Sequence, residues 1–222
     1  MLKLPTLLKH TMPRPGSHEF EPSYLVPDTK SSDFWSEVYH RIRHLHLESP
    51  VDGGLLKFID HRYGYFGYRA HTSDPSRWYY HIGIELSFPK SHQIFPVRSG
   101  VLEYAGYGAI NGYYVLLSHP EITTNDGYVL HTMYCHLKKP LVGFNSYQKM
   151  LREVSLGSYP LISIERETSL GNSGSSGVIG IGEFKLYMQF DFRKYGEVPI
   201  VIDPLPVLVG ETRENKFILP YS

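Results

Sequence analysis

With 222 residues and 22 acidic against 22 basic side chains, the chain carries a formal charge of zero, which argues against binding nucleic acid or an anionic membrane through bulk electrostatics. A chain of this length can bury a substantial core as one domain with an extension. Its 18 Tyr, 20 Gly and 16 Pro suit short strands and many turns better than helices, and the single Cys135 excludes an internal disulfide framework or a cysteine-based zinc knuckle.

From the N-terminus, Leu2, Leu4, Leu7 and Leu8 are interrupted by Lys3, Pro5 and Lys9. This stretch is too short and broken for a signal-peptide apolar region, and no later stretch reads as membrane-spanning. Residues 1–30 hold Pro5, Pro13, Pro15, Pro22 and Pro27 and read as an extended Pro-rich arm. Residues 31–75 read as a helical extension, because Phe34, Val38, Ile42 and Leu45 recur at helical spacing over 33–46 behind a capping Ser32 or Asp33. Glu37, His40 and His44 fall on the opposite, solvated face of that helix.

From Trp78 the period changes to two. Tyr80, Ile82, Ile84, Leu86 and Phe88 alternate with His81, Gly83, Glu85 and Ser87, the pattern of a half-buried strand. Further strands are expected at 100–105, 112–119, 127–136, 160–165, 177–182, 184–192 and 198–202, with a short helix at 145–154. Turn residues separate them, so the sum is a mainly β, sandwich or barrel-like domain over 76–210 with a tail at 211–222.

Several polar side chains on these strands invite chemistry. His81 and Glu85 share a strand face but lie about 13 Å apart on a straight strand, and Gly83 between them permits a bend. Tyr187 and Gln189 share a face about 7 Å apart, with Asp191 next on it. A neutral amide such as Gln189 is a poor zinc donor, and a phenol such as Tyr187, with a reference pKa of about 10, is a weak proton shuttle. His131 is five residues before His136 and is expected on the other face, while His92 and His119 read as surface or turn residues. The glycine run 171–177 lacks the lysine and the strand-to-helix context of a nucleotide loop and reads as a turn.

The segments Tyr80-His81-Ile82-Gly83-Ile84-Glu85, Met133-Tyr134-Cys135-His136-Leu137 and Leu186-Tyr187-Met188-Gln189-Phe190-Asp191 resemble, in this order, three motifs of the LytM/lysostaphin family. Its members are zinc endopeptidases that cut peptide crosslinks in bacterial cell walls. The family shows His-x-Gly-x-Asp, then Tyr-x-His-Leu, then His-Leu-His-Phe-Glu; the first His, the Asp and the last His hold zinc, and the other two His assist catalysis. Segments 96–102, 104–119, 157–162, 170–177 and 203–208 are similar to the family's strands, turns and C-terminal signature, so the likeness runs from about residue 76 to 210.

The resemblance implies an antiparallel LytM-type β domain with metal positions at His81, Glu85 (in place of Asp) and Gln189 (in place of His). It implies catalytic positions at His136 and Tyr187 (in place of His), with Tyr134 and Asn172 along the groove and Asp191 as a candidate substitute ligand. It also implies zinc as cofactor where donors suffice, a peptidoglycan-like peptide or glycan or a partner protein as ligand, and a cell-envelope setting. Two functions follow from it: a non-catalytic binding or partner-regulating module, or an active metallo-endopeptidase using Glu85, with or without Asp191. A third reading sets the enzyme ancestry aside and takes the chain as a structural interaction protein docking through its N-terminal arm and helix.

Overall fold

Alternation of apolar residues decides which side of the strand over 184–193 packs into the apolar core. In the computed structural model Leu186, Met188 and Phe190 are fully buried, while the alternating Lys185, Tyr187, Gln189 and Asp191 point to the other face of the same strand. The structure describes residues 8–9, 25–26, 47–59, 64–70, 78–124, 127–138, 142, 161–177, 184–196 and 199–208. The helices expected at 33–46 and 145–154, most of the strand expected at 177–182, the tail and most of the N-terminal arm lie outside these residues.

The first strands are β1 (Leu8–Lys9), β2 (Leu25–Val26), β3 (Gly67–Ala70), β4 (Trp78–His81), β5 (Ile84–Phe88) and β6 (Gln93–Ile94). Then come β7 (Gly100–Gly108), β8 (Gly112–Thr123), β9 (Val129–Lys138), β10 (Ser163–Ile164) and β11 (Gly171–Ser173). The last elements are β12 (Phe184–Arg193), β13 (Ile200–Ile202) and a helical turn, α1 (Leu205–Leu208). Among the described residues eleven strands make one open sheet in the order β1-β2-β13-β12-β9-β8-β7-β10, with β5 beside β12, and β11 between β9 and β6. Its pairings are antiparallel apart from β13 with β2. The fold is therefore the expected antiparallel β domain, with the sheet left open rather than closed into a barrel. None of the described helices is long and apolar enough to cross a membrane.

Ile84, Leu86, Val115, Leu117, Leu130, Tyr134 and the inward residues of β12 form the core, each large aliphatic side chain contributing about 1.5–3 kcal/mol by its burial. Leu47, Val51, Leu55 and Ile59 join the same cluster. The Glu48 and Phe95 N–H groups tie this segment to Val97 O and Pro50 O, each at 2.9 Å. Residues 47–59 thus belong to the β domain, with a 3-10 turn at Leu55–Phe58, and β3 at 67–70 pairs with β4. The sequence places a domain boundary near 75. The structure puts core-forming residues on both sides of it, because the apolar side chains of 47–59 repeat too irregularly to announce a strand or helix.

Two further differences have local causes. The single strand expected over 80–88 is broken between β4 and β5 at Ile82-Gly83, and part of the glycine run read as a turn is strand β11. His119, expected at the surface, is fully buried. Its Nδ1–H donates to Ser99 O at 3.0 Å, and Nε2 lies 2.9 Å from Thr132 Oγ1, which satisfies both ring nitrogens without water.

Candidate functional site

Residues directly opposite on neighbouring strands share a face, and β12 sits between β5 and β9. Tyr187 stands opposite Glu85 on one side and Cys135 on the other. Further along, Gln189 faces Met133 and Asp191 faces His131. Sequence positions 85, 187, 189 and 191 are therefore gathered on one surface. His81 ends β4, and its ring centroid is 5.3 Å from that of Tyr187. The His136 ring lies 6.2 Å from Tyr187 on the β9 side.

His136 arrives there by breaking the alternation. Tyr134 faces the core opposite Met188, so an unbroken strand would turn the next even position inward too. Instead His136 adopts a left-handed φ of 63°, and the β8–β9 register shifts between Tyr113 and Val115. The same irregularity explains why His131 lies across from Asp191, on the face of the site. Tyr134, expected along the groove, is fully buried and its hydroxyl accepts the Val97 N–H at 2.9 Å; it is a core residue. Asn172 is exposed on β11, opposite Lys138 and Gln93.

Both site histidines are held the same way. His81 Nδ1–H donates to Tyr65 O at 2.8 Å and His136 Nδ1–H donates to Ser176 O at 2.9 Å. A carbonyl can only accept, so in the neutral ring Nε2 carries the lone pair. Burial holds His136 below the usual histidine pKa, and the nearby Lys185 charge adds to this against the Ser176 carbonyl and Glu85. His136 is thus a neutral imidazole at neutral pH.

The remaining polar groups are paired among themselves. Lys185 Nζ donates to Glu85 Oε1 at 2.6 Å. Gln189 Nε2 donates to Asp191 Oδ2 at 2.9 Å, and the Tyr187 hydroxyl lies 3.4 Å from Gln189 Oε1. Arg193 donates to both Asp191 oxygens, at 2.6 and 3.0 Å. A zinc site needs three good donors and, for hydrolysis, an open position for water. Here Glu85 is engaged by an ammonium, Asp191 by a guanidinium and an amide, and Gln189 is a neutral amide with both ends in contact. Among the described residues no group of three His, Cys, Asp or Glu side chains is arranged to hold a metal ion. The described residues at these positions do not fit zinc.

Lys185 is the site residue that the sequence reading passed over. The signal was present: it precedes Tyr187 by two and so shares its face. A cleft of about 510 Å3 lies beside the paired start of β7 and β10, lined in part by Arg98, Glu121, Glu165 and Arg166, and the motif residues take no part in it.

No protein-family model matches the chain, and no curated protein does. Among solved structures it is similar to a zinc-containing peptidase from Vibrio cholerae, at 18% identity and a TM-score of 0.48 over 70% of this chain and 39% of that one. It is also similar to a chain of the SpoIIIAH–SpoIIQ complex, at 16% identity and 0.46 over 72% and 97%, and to LytU, at 20% and 0.43 over 64% and 79%. The match thus spans well under half of the Vibrio cholerae peptidase. In the order of its motif residues the chain resembles the LytM/lysostaphin-type peptidases.

Proposed function

We propose that this chain is a LytM-like domain that binds through the sheet face carrying these motif residues and does not hydrolyse. The observation that supports this reading is the Lys185–Glu85 ion pair, which engages the carboxylate that the family resemblance assigns to the metal. Without a metal-bound water there is no activated nucleophile at neutral pH, and Tyr187 and Gln189 supply no general base in its place. What these residues retain suits recognition. The neutral His136 offers an acceptor nitrogen to a ligand N–H, and the half-buried Tyr187 supplies aromatic contact area at low entropic cost.

The ligand class follows from the resemblance: a peptidoglycan-like peptide or glycan, or a partner protein that the domain positions or regulates. Metal analysis of protein purified without added metal or chelator, followed by zinc titration, tests the reading first. The expected result is no stoichiometric zinc and no saturable binding, together with retention on sedimented peptidoglycan or a partner and no release of cleaved crosslinks. Zinc bound near one per chain, with chelator-sensitive cleavage, would establish the hydrolytic alternative instead.

A further inference from the structure

Glu85 raises a question of charge balance, and its answer rests on the zinc-free reading above. The carboxylate is held mostly out of water, with 14% of its side chain exposed against 16% for Lys185. A carboxylate so placed needs a compensating positive charge; in a metal site the ion supplies it. We propose that the Lys185 ammonium is a built-in replacement for that ion, and that it, together with the missing imidazole at Gln189, keeps divalent metal away from these residues.

The geometry supports this in three ways. Lys185 lies on the site face of β12, directly opposite Ser87 and diagonal to Glu85, so its four-carbon stem runs along the strand to deliver Nζ to Oε1. The imidazole supports remain in place. His81 and His136 each donate Nδ1–H to a backbone carbonyl, the arrangement that orients imidazoles toward a metal elsewhere. The donor orientation is therefore kept while the carboxylate's charge is already neutralised by Lys185. Finally, a dication drawn to Glu85 would sit beside Nζ in a partly dehydrated site, where like charges are poorly screened.

Calorimetric titration with zinc alone, on the full chain, separates the two contributions. The wild type is expected to show no saturable binding, and Gln189→His only weak but measurable binding. Lys185→Met/Gln189→His is expected to bind at least about 10-fold more tightly than Gln189→His, and Lys185→Arg/Gln189→His, which keeps the charge, to behave like Gln189→His. Equal affinity of Gln189→His and Lys185→Met/Gln189→His, or no binding by the latter when folded, would overturn the proposal and leave the zinc-free reading standing. Stoichiometric zinc in the wild type would overturn that reading itself. If Lys185→Met impairs folding, Lys185→Met/Glu85→Gln removes both charges and is expected to melt at a higher temperature than Lys185→Met alone; no recovery would overturn the pairing.

Discussion

His136 is the residue on which the site turns. A side chain at φ 63° costs of order 1–3 kcal/mol, and the surroundings offset it with specific bonds. Its N–H donates to Asn111 O at 2.8 Å, and its ring donates to Ser176 O. Ser176 Oγ in turn donates to Leu137 O and accepts the Tyr113 N–H, both at 2.8 Å. These loops come this close because Gly112 and Gly177 have positive φ, and a Cβ on Gly112 would collide with Ser176 Oγ. The strain is measurable. His136→Ala and His136→Gly both lose the ring, but only alanine is strained at this φ, so the glycine variant is expected to be more stable by about 1 kcal/mol. Equal stability in urea unfolding would mean that the backbone relaxes there at no cost. The residue types around position 136 announce a site histidine in the sequence, but its left-handed backbone comes from loops at 111 and 176.

At the scale of elements, the break between β4 and β5 places His81 and Glu85 on either side of Tyr187. Gly83 occupies the break, and a Cβ there would collide with Met188 O and the Tyr187 ring. Bending is only part of its use, since it also lets β12 pass against the backbone. Gly83→Ala is therefore expected to destabilise the domain by about 1–3 kcal/mol through overpacking and to separate the His81 and Tyr187 rings. A change within about 0.5 kcal/mol, the usual size for a neutral surface substitution, would show that the strands do not pack so closely. The period-two pattern over 80–88 was legible in the sequence, and so was the possibility of a bend at Gly83. The interruption of pairing was not, because alternation reports a face and says nothing of how near the next strand lies.

For the whole molecule, stability depends on pH through groups with opposing signs. Burial lowers the pKa of His119, His131 and His136 below the ordinary histidine value of 6.5. The unfolded chain then takes up protons first as pH falls below 6.5, and this part of the stability is lost toward the lower folded values. Asp203 acts the other way: burial raises it from 3.8 to about 6 against the Leu205 N–H that it accepts. Its contribution is complete below 3.8 and is lost as pH rises through about 6. Asp203→Asn removes that loss and can keep the cap on α1. Its stability relative to wild type is expected to rise between about pH 4 and about pH 7, as read by urea unfolding across the range. A constant difference would show that Asp203 is not desolvated in the folded chain.

The sequence by itself determined the order of the motifs, the strands at β5, β7, β8, β9, β10, β12 and β13, and the common face of Tyr187, Gln189 and Asp191. All of these are local, since a period of two is written in consecutive residues. Only the tertiary structure decided what the site contains. It joined Lys185 to Glu85 across 100 positions, turned His136 out of the core, drew Tyr134 and His119 into the interior, and added residues 47–59 to the domain. Strand periodicity states which side a residue faces. Which partner it meets there depends on register, bulges and the close approach of distant loops, and those arise only when the sheet is assembled.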